Sequence, residues 1–208
     1  MKNKNLILKQ IKMKKLITIC LLIAITFTVS AQAKSALTKN ETIQYLNKKA
    51  NECEGHFRTI DGSAFANGVA RKMYYKELSF ELSDEKVSIK VLSSNNSEND
   101  YSKSYFERYT KQSFNPSQII SITNGTTNLN EPLGLILITL KSNSCVSEQS
   151  VKYHNGNSFY YHDPTAISSK SEVGLVFLNA DPENYNKIKK ALEYLRDLYK
   201  AEDDPFGE

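Results

Sequence analysis

Histidine and cysteine are scarce in this chain, three of each among 208 residues, so those that fall close together stand out. His154, His162 and Asp163 lie within a ten-residue span, while His56 stands far from them. Imidazole nitrogens and a carboxylate are zinc-ligand types, and the same groups serve as general bases in hydrolysis. A zinc site, however, needs three or four ligands that converge. His154 is expected at the tip of a hairpin and His162 just beyond its second strand, too far apart to share an ion easily. Solvated loop histidines are the simpler reading, so neither a catalytic residue nor a cofactor is assigned. His154, His162 and Asp163 remain the candidates for metal-dependent or hydrolytic chemistry. Cys145 is a formal candidate for a Cys-His nucleophile, which would need a neighbour that lowers its pKa.

No motif for a common hydrolytic or nucleotide-dependent enzyme accompanies them. The chain carries no G-x-S-x-G nucleophile elbow, no H-E-x-x-H pair and no Walker-type phosphate loop. Tyrosine is abundant instead. Tyr74, Tyr75, Tyr105, Tyr109, Tyr153, Tyr160 and Tyr161 fall in predicted strands, where an apolar ring with a polar tip suits core packing or a recognition surface.

Before these residues comes a segment that says where they act. Six lysines precede an uncharged apolar run from Leu16 to Val29, which ends in Ser30-Ala31-Gln32-Ala33. A basic start, a short apolar centre and small residues at a cleavage site describe a secretory signal peptide. The run of 14 residues is short for a spanning helix, which needs about 20. Cys20 lies inside the run rather than after it, which argues against a lipoprotein signal, and Met13 is an alternative start. Cleavage near Ala33 takes away six of the 27 Lys and Arg and none of the 23 Asp and Glu, leaving 21 basic against 23 acidic residues. The formal +4 of the whole chain thus becomes −2, and the case for nucleic acid as a partner goes with it. What remains, 34–208, has the size of one domain, without a transmembrane segment. An oxidising compartment allows a disulfide between its two cysteines, Cys53 and Cys145, while the place of Cys53 on the apolar face of the first helix supports two buried thiols instead.

The elements that must position these side chains follow from period and caps. Thr38-Lys39-Asn40-Glu41 is a capping box, and Ile43, Leu46, Ala50 and Cys53 form one apolar stripe behind it, predicting a helix over 38–53 that Gly55 stops. From His56 to Leu178 the period tends toward two. Leu78, Phe80 and Leu82, then Val87, Ile89 and Val91, predict a hairpin around Ser83-Asp84-Glu85-Lys86. The stretch 93–101 reads as an exposed loop. Further strands are expected at 105–110, 119–123, 133–140, 151–153, 159–161 and 173–178, with 133–140 central because it is apolar on both faces. Asp181 is the expected N-cap of a final amphipathic helix, with Pro182 at its first position, Glu183 in its first turn and Tyr185, Ile188, Leu192, Leu195 and Tyr199 along one face. The tail from 201 is acidic and expected to fray.

The predicted fold is therefore α+β: an N-terminal helix, about seven or eight antiparallel strands in a single bent sheet or small barrel, and a C-terminal capping helix. Through Val173 to Tyr199, with the strands from Leu78 to Tyr161 beside them, the chain resembles the pleckstrin-homology-like superfold. That resemblance implies a ligand such as a phosphoinositide, a peptide or a partner protein. Export would keep the chain from cytoplasmic phosphoinositides, and the superfold does not require the first helix. The Ser-Ala-Gln cleavage region and the Asn, Lys and Tyr content are similar to uncharacterised exported proteins of Bacteroidetes type. The expected function is a periplasmic or secreted, non-enzymatic binding module for a protein, glycan or other envelope ligand. The alternatives are an enzyme of unfamiliar type using His154, His162 and Asp163, and an assembly factor acting through an exposed helix or strand edge.

Overall fold

Helix α1 (Lys39–Asn51) opens where the capping box places it: Glu41 N–H donates to Thr38 Oγ1 at 3.2 Å, and the Glu41 carboxylate accepts from Thr38 N–H at 2.7 Å. The structure, a computed structural model, describes residues 37–60, 70–83, 85–95, 105–126, 130–155 and 158–204, without the side chains of 155–164. The leader, most of the 93–101 loop and the last residues of the tail lie outside the described residues. The helix gives way to a turn that ends at Gly55, whose φ of 77° suits a residue without a Cβ.

Among the described residues, nine strands follow: β1 (Phe57–Ile60), β2 (Arg71–Leu82), β3 (Val87–Ser94), β4 (Tyr105–Phe114), β5 (Ile119–Asn124), β6 (Leu133–Leu140), β7 (Cys145–Asn155), β8 (Ser158–Lys170) and β9 (Glu172–Leu178). They form two antiparallel sheets, one in the order β1-β2-β3-β4-β7-β8 and one in the order β5-β6-β9. The prediction of a single sheet or small barrel is corrected here, because both sheets are open, with β1 and β8, and β5 and β9, at their edges.

The register explains how an apparent single sheet becomes two. β4 pairs with β7 and β7 with β8, while the segments that adjoin them in sequence, β5, β6 and β9, pair in the corresponding order. Three long chain passes are thus each broken once. Asn115 starts the first break, its side chain accepting from Ser117 N–H at 2.8 Å ahead of a 3-10 turn (Pro116–Gln118). The second is a turn over 141–144, in which Asn143 takes a left-handed φ of 54°, a conformation asparagine tolerates better than most residues. The third is the single residue Ser171, whose carbonyl accepts from Leu140 N–H.

Helix α2 (Asn184–Asp203) starts three residues later than its expected cap. Asp181 bonds Glu183 N–H at 2.9 Å and Lys187 Nζ at 2.7 Å, so Asp181-Pro182-Glu183 form a turn before the helix and Glu183 takes the cap position without a side-chain bond. The helix then buries Ile188, Leu192, Leu195 and Tyr199. Its stripe, that of α1, and apolar residues from both sheets, Leu78, Ile89, Phe114, Ile136 and Val173 among them, form one core. The helix side of the larger sheet carries a second, smaller cluster of Met73, Phe106 and Val151, joined by Ile60 and Tyr153. No helix of the described residues is long and apolar enough to cross a membrane.

Candidate functional site

On strands of the larger sheet, successive side chains alternate between the helix side and the outer side. On β4 the helix side takes Phe106 and Phe114, both buried, so Tyr105, Glu107, Tyr109 and Lys111 belong to the outer side. On β7 it takes Cys145, Ser147 and Val151, which leaves Val146, Glu148, Ser150, Lys152 and His154 outward. The register places Tyr105 opposite His154, Glu107 opposite Lys152 and Tyr109 opposite Ser150. Lys76 joins them from β2, where it is the extra residue of a bulge between Tyr75 and Glu77.

Glu107 is the hub of this group. One carboxylate oxygen accepts from Lys76 Nζ at 2.8 Å, and the other lies 3.5 Å from His154 Nε2, an electrostatic contact longer than a good hydrogen bond. The His154 ring stacks on Tyr105 with a centroid distance of 4.4 Å and an interplanar angle of 1°. Lys76 Nζ also sits 5.6 Å from the centre of the Tyr105 ring. Partial burial raises the Glu107 carboxyl, but the hydrogen bond and charge of Lys76, helped by His154 and Lys152, outweigh it and hold the group below the ordinary 4.5. Beside the hub, Leu92, Glu107, Tyr109, Ser150 and Lys152 line a depression of about 280 Å³. Lys90 pairs with Glu81 and Lys111 with Glu148 further along the same side.

The residues singled out from sequence are distributed differently. His154 enters the Glu107 group, and His162 registers opposite Lys152 and Asp163 opposite Val151 on β8, both with side chains outside the described residues. His56 lies at the far edge, just before β1, with its carbonyl accepting from Tyr75 N–H. Among the described residues no three His, Cys, Asp or Glu side chains gather as a metal would require. Cys53 and Cys145 are both free and fully buried. Cys53 directs its thiol at the carbonyls of Lys49 and Val176, and burial pushes it up to about 12; burial raises Cys145 as well, the reverse of what a thiolate nucleophile needs.

Glu107, Lys76 and Lys152 escaped sequence reasoning. Their partnership spans three strands and a bulge, and the only trace in sequence is the alternation Tyr105-x-Glu107-x-Tyr109 against Lys152-x-His154. Of the tyrosines, Tyr74 packs its ring 5.4 Å from Phe57 and Tyr153 packs 6.3 Å from Phe106, both as structural pairs, whereas Tyr109 is 36% exposed beside the depression. Compared with protein-family models, with curated proteins and with solved structures, the chain matches none.

Proposed function

We propose that this chain is an exported, periplasmic or secreted protein, its leader cleaved near Ala33, that acts as a non-enzymatic binding module of the cell envelope through the outer side of its larger sheet. The observation that carries the reading is the depression between Tyr109 and Lys152, with the Lys76–Glu107–His154 group beside it. A partly exposed ring, a carboxylate and an ammonium at one place are the groups that hold a glycan or a polar protein surface. Exposed Val146 and Ile167, across from each other's neighbours on β7 and β8, extend this side with apolar surface between charged residues. The likeness to the pleckstrin-homology-like superfold belongs to this proposal: a bent antiparallel arrangement with a C-terminal amphipathic helix, on which peptide or protein ligands are the ones compatible with export.

A second reading, a hydrolytic enzyme, draws on the contact between Glu107 and His154, since a carboxylate beside an imidazole can orient a base. The stack on Tyr105 and the competing lysine favour the binding module. Affinity capture from the native envelope with the processed protein, run beside a panel of ester, amide and glycoside substrates, separates the two. Specific retention without turnover supports the module; turnover lost in His154→Ala would replace it with the enzyme.

A further inference from the structure

The opposite side of the same sheet holds a second set of polar groups that the proposed function does not use. Arg58 on β1 registers opposite Met73, a member of the smaller apolar cluster, and therefore shares its side of the sheet. Tyr75, Ser93 and Arg108 form the next row across β2, β3 and β4, Tyr75 opposite Ser93 and Ser93 opposite Arg108. Neighbours in such a row stand about 5 Å apart, so the row and the adjacent Arg58 fit within reach of one small group.

All four side chains are hydrogen-bond donors, and within the described residues none of their side-chain groups makes a hydrogen bond or ion pair. Arg58 and Arg108 are absent from every ion pair found there. The Nε of Arg108 is fully buried without an acceptor, while its guanidinium carbon lies 5.7 Å from the centre of the Phe106 ring. A guanidinium cannot shed its proton to escape burial, so an acceptor must come from somewhere. Burial pushes the Tyr75 hydroxyl up to about 12, against the opposing charges of both arginines, so it stays an O–H donor at neutral pH. Two cations and two hydroxyl donors with no carboxylate bound among them match the acceptor pattern of a tetrahedral or planar oxyanion.

We propose that Arg58, Tyr75, Ser93 and Arg108 form an oxyanion-binding site on the helix side of the larger sheet, for a ligand bearing a phosphate, sulfate or carboxylate group. The two arginines supply charge and forked N–H donors, and the hydroxyls complete the shell. The neighbouring Met73, Phe106 and Val151 offer apolar contact to whatever carries the anion.

Titration calorimetry of the processed protein with phenyl phosphate, benzoate and inorganic sulfate, in a buffer without competing anions, tests this. Saturable binding of at least one probe is expected, its strength identifying which oxyanion the site prefers. Arg108→Gln should weaken that probe at least tenfold, Arg108→Lys should recover part of the loss, and Lys190→Ala, an exposed lysine of α2, should leave it unchanged. If Arg108→Gln fails to fold, Arg58→Gln at the sheet edge carries the test with the same expectation. Absence of saturable binding by all three probes, or equal affinity in the arginine variants, would overturn the proposal.

Discussion

Glu107 accepts a hydrogen bond from Lys76 and faces His154, and that sets how acid acts on this side of the sheet. Its carboxyl lies lower in the folded chain than in the unfolded one, so its stabilising effect is fully present above the ordinary 4.5 and disappears as pH falls through the folded value. Thermal unfolding followed between about pH 6 and pH 3 should show a falling Tm on the acid side. Lys76→Met, which removes the largest favourable partner, should make that limb shallower; an unchanged limb would mean that the pair does not hold the carboxylate. The cysteines give a second test at this scale. Iodoacetamide at pH 8 should leave both thiols of the processed protein unlabelled while it is native and label both after denaturation without reductant. Native labelling would contradict the burial, and resistance after denaturation would reveal a disulfide.

Asn47 shows how one element completes another. The β2 edge is covered by β1 only over 71–74, and further along it the Asn47 side chain accepts from Phe80 N–H at 2.7 Å and donates to Phe80 C=O at 3.0 Å, standing in for a missing strand. Asn47→Ala should cost about 1–3 kcal/mol, the range for leaving buried backbone groups without partners, and denaturant unfolding measures it; a loss below a few tenths would show that water replaces the side chain. This device was not legible beforehand, because Asn47 lies on the polar flank of an amphipathic pattern. The helices themselves were legible, since Leu46, Ala50, Leu192 and Leu195 keep a helical period, and so was the hairpin from Leu78 to Val91. The lengths of β7 and β8 were not: Ser147, Glu148, Gln149 and Ser150, and Thr165 to Ser169, give no alternation of apolar and polar residues. Their pairing is set by register with neighbours. The division into two sheets was hidden for a similar reason, as it depends on Asn115, Asn143 and Ser171 breaking three adjacent passes at one level.

For the whole molecule, α2 joins what these breaks separate. Tyr185 donates to the carbonyl of Ile122 in the smaller sheet, and Tyr199, at the other end of the helix, donates to that of Ser83 in the turn of the larger one. Lys39 from α1 lies over the Tyr199 ring at 3.4 Å and reaches Glu202 at 2.5 Å, tying the two helices together. The helices cover the helix side of the larger sheet beside Leu78 and Phe80, and contact through its outer side is the central claim of the functional reading. The most direct measurement is the affinity of a partner captured from the envelope for the parent protein and for the Tyr109→Ala/Lys152→Ala variant. The account predicts binding at least tenfold weaker in the variant, about 1.4 kcal/mol, with an unchanged Tm; equal affinity at equal Tm would contradict it.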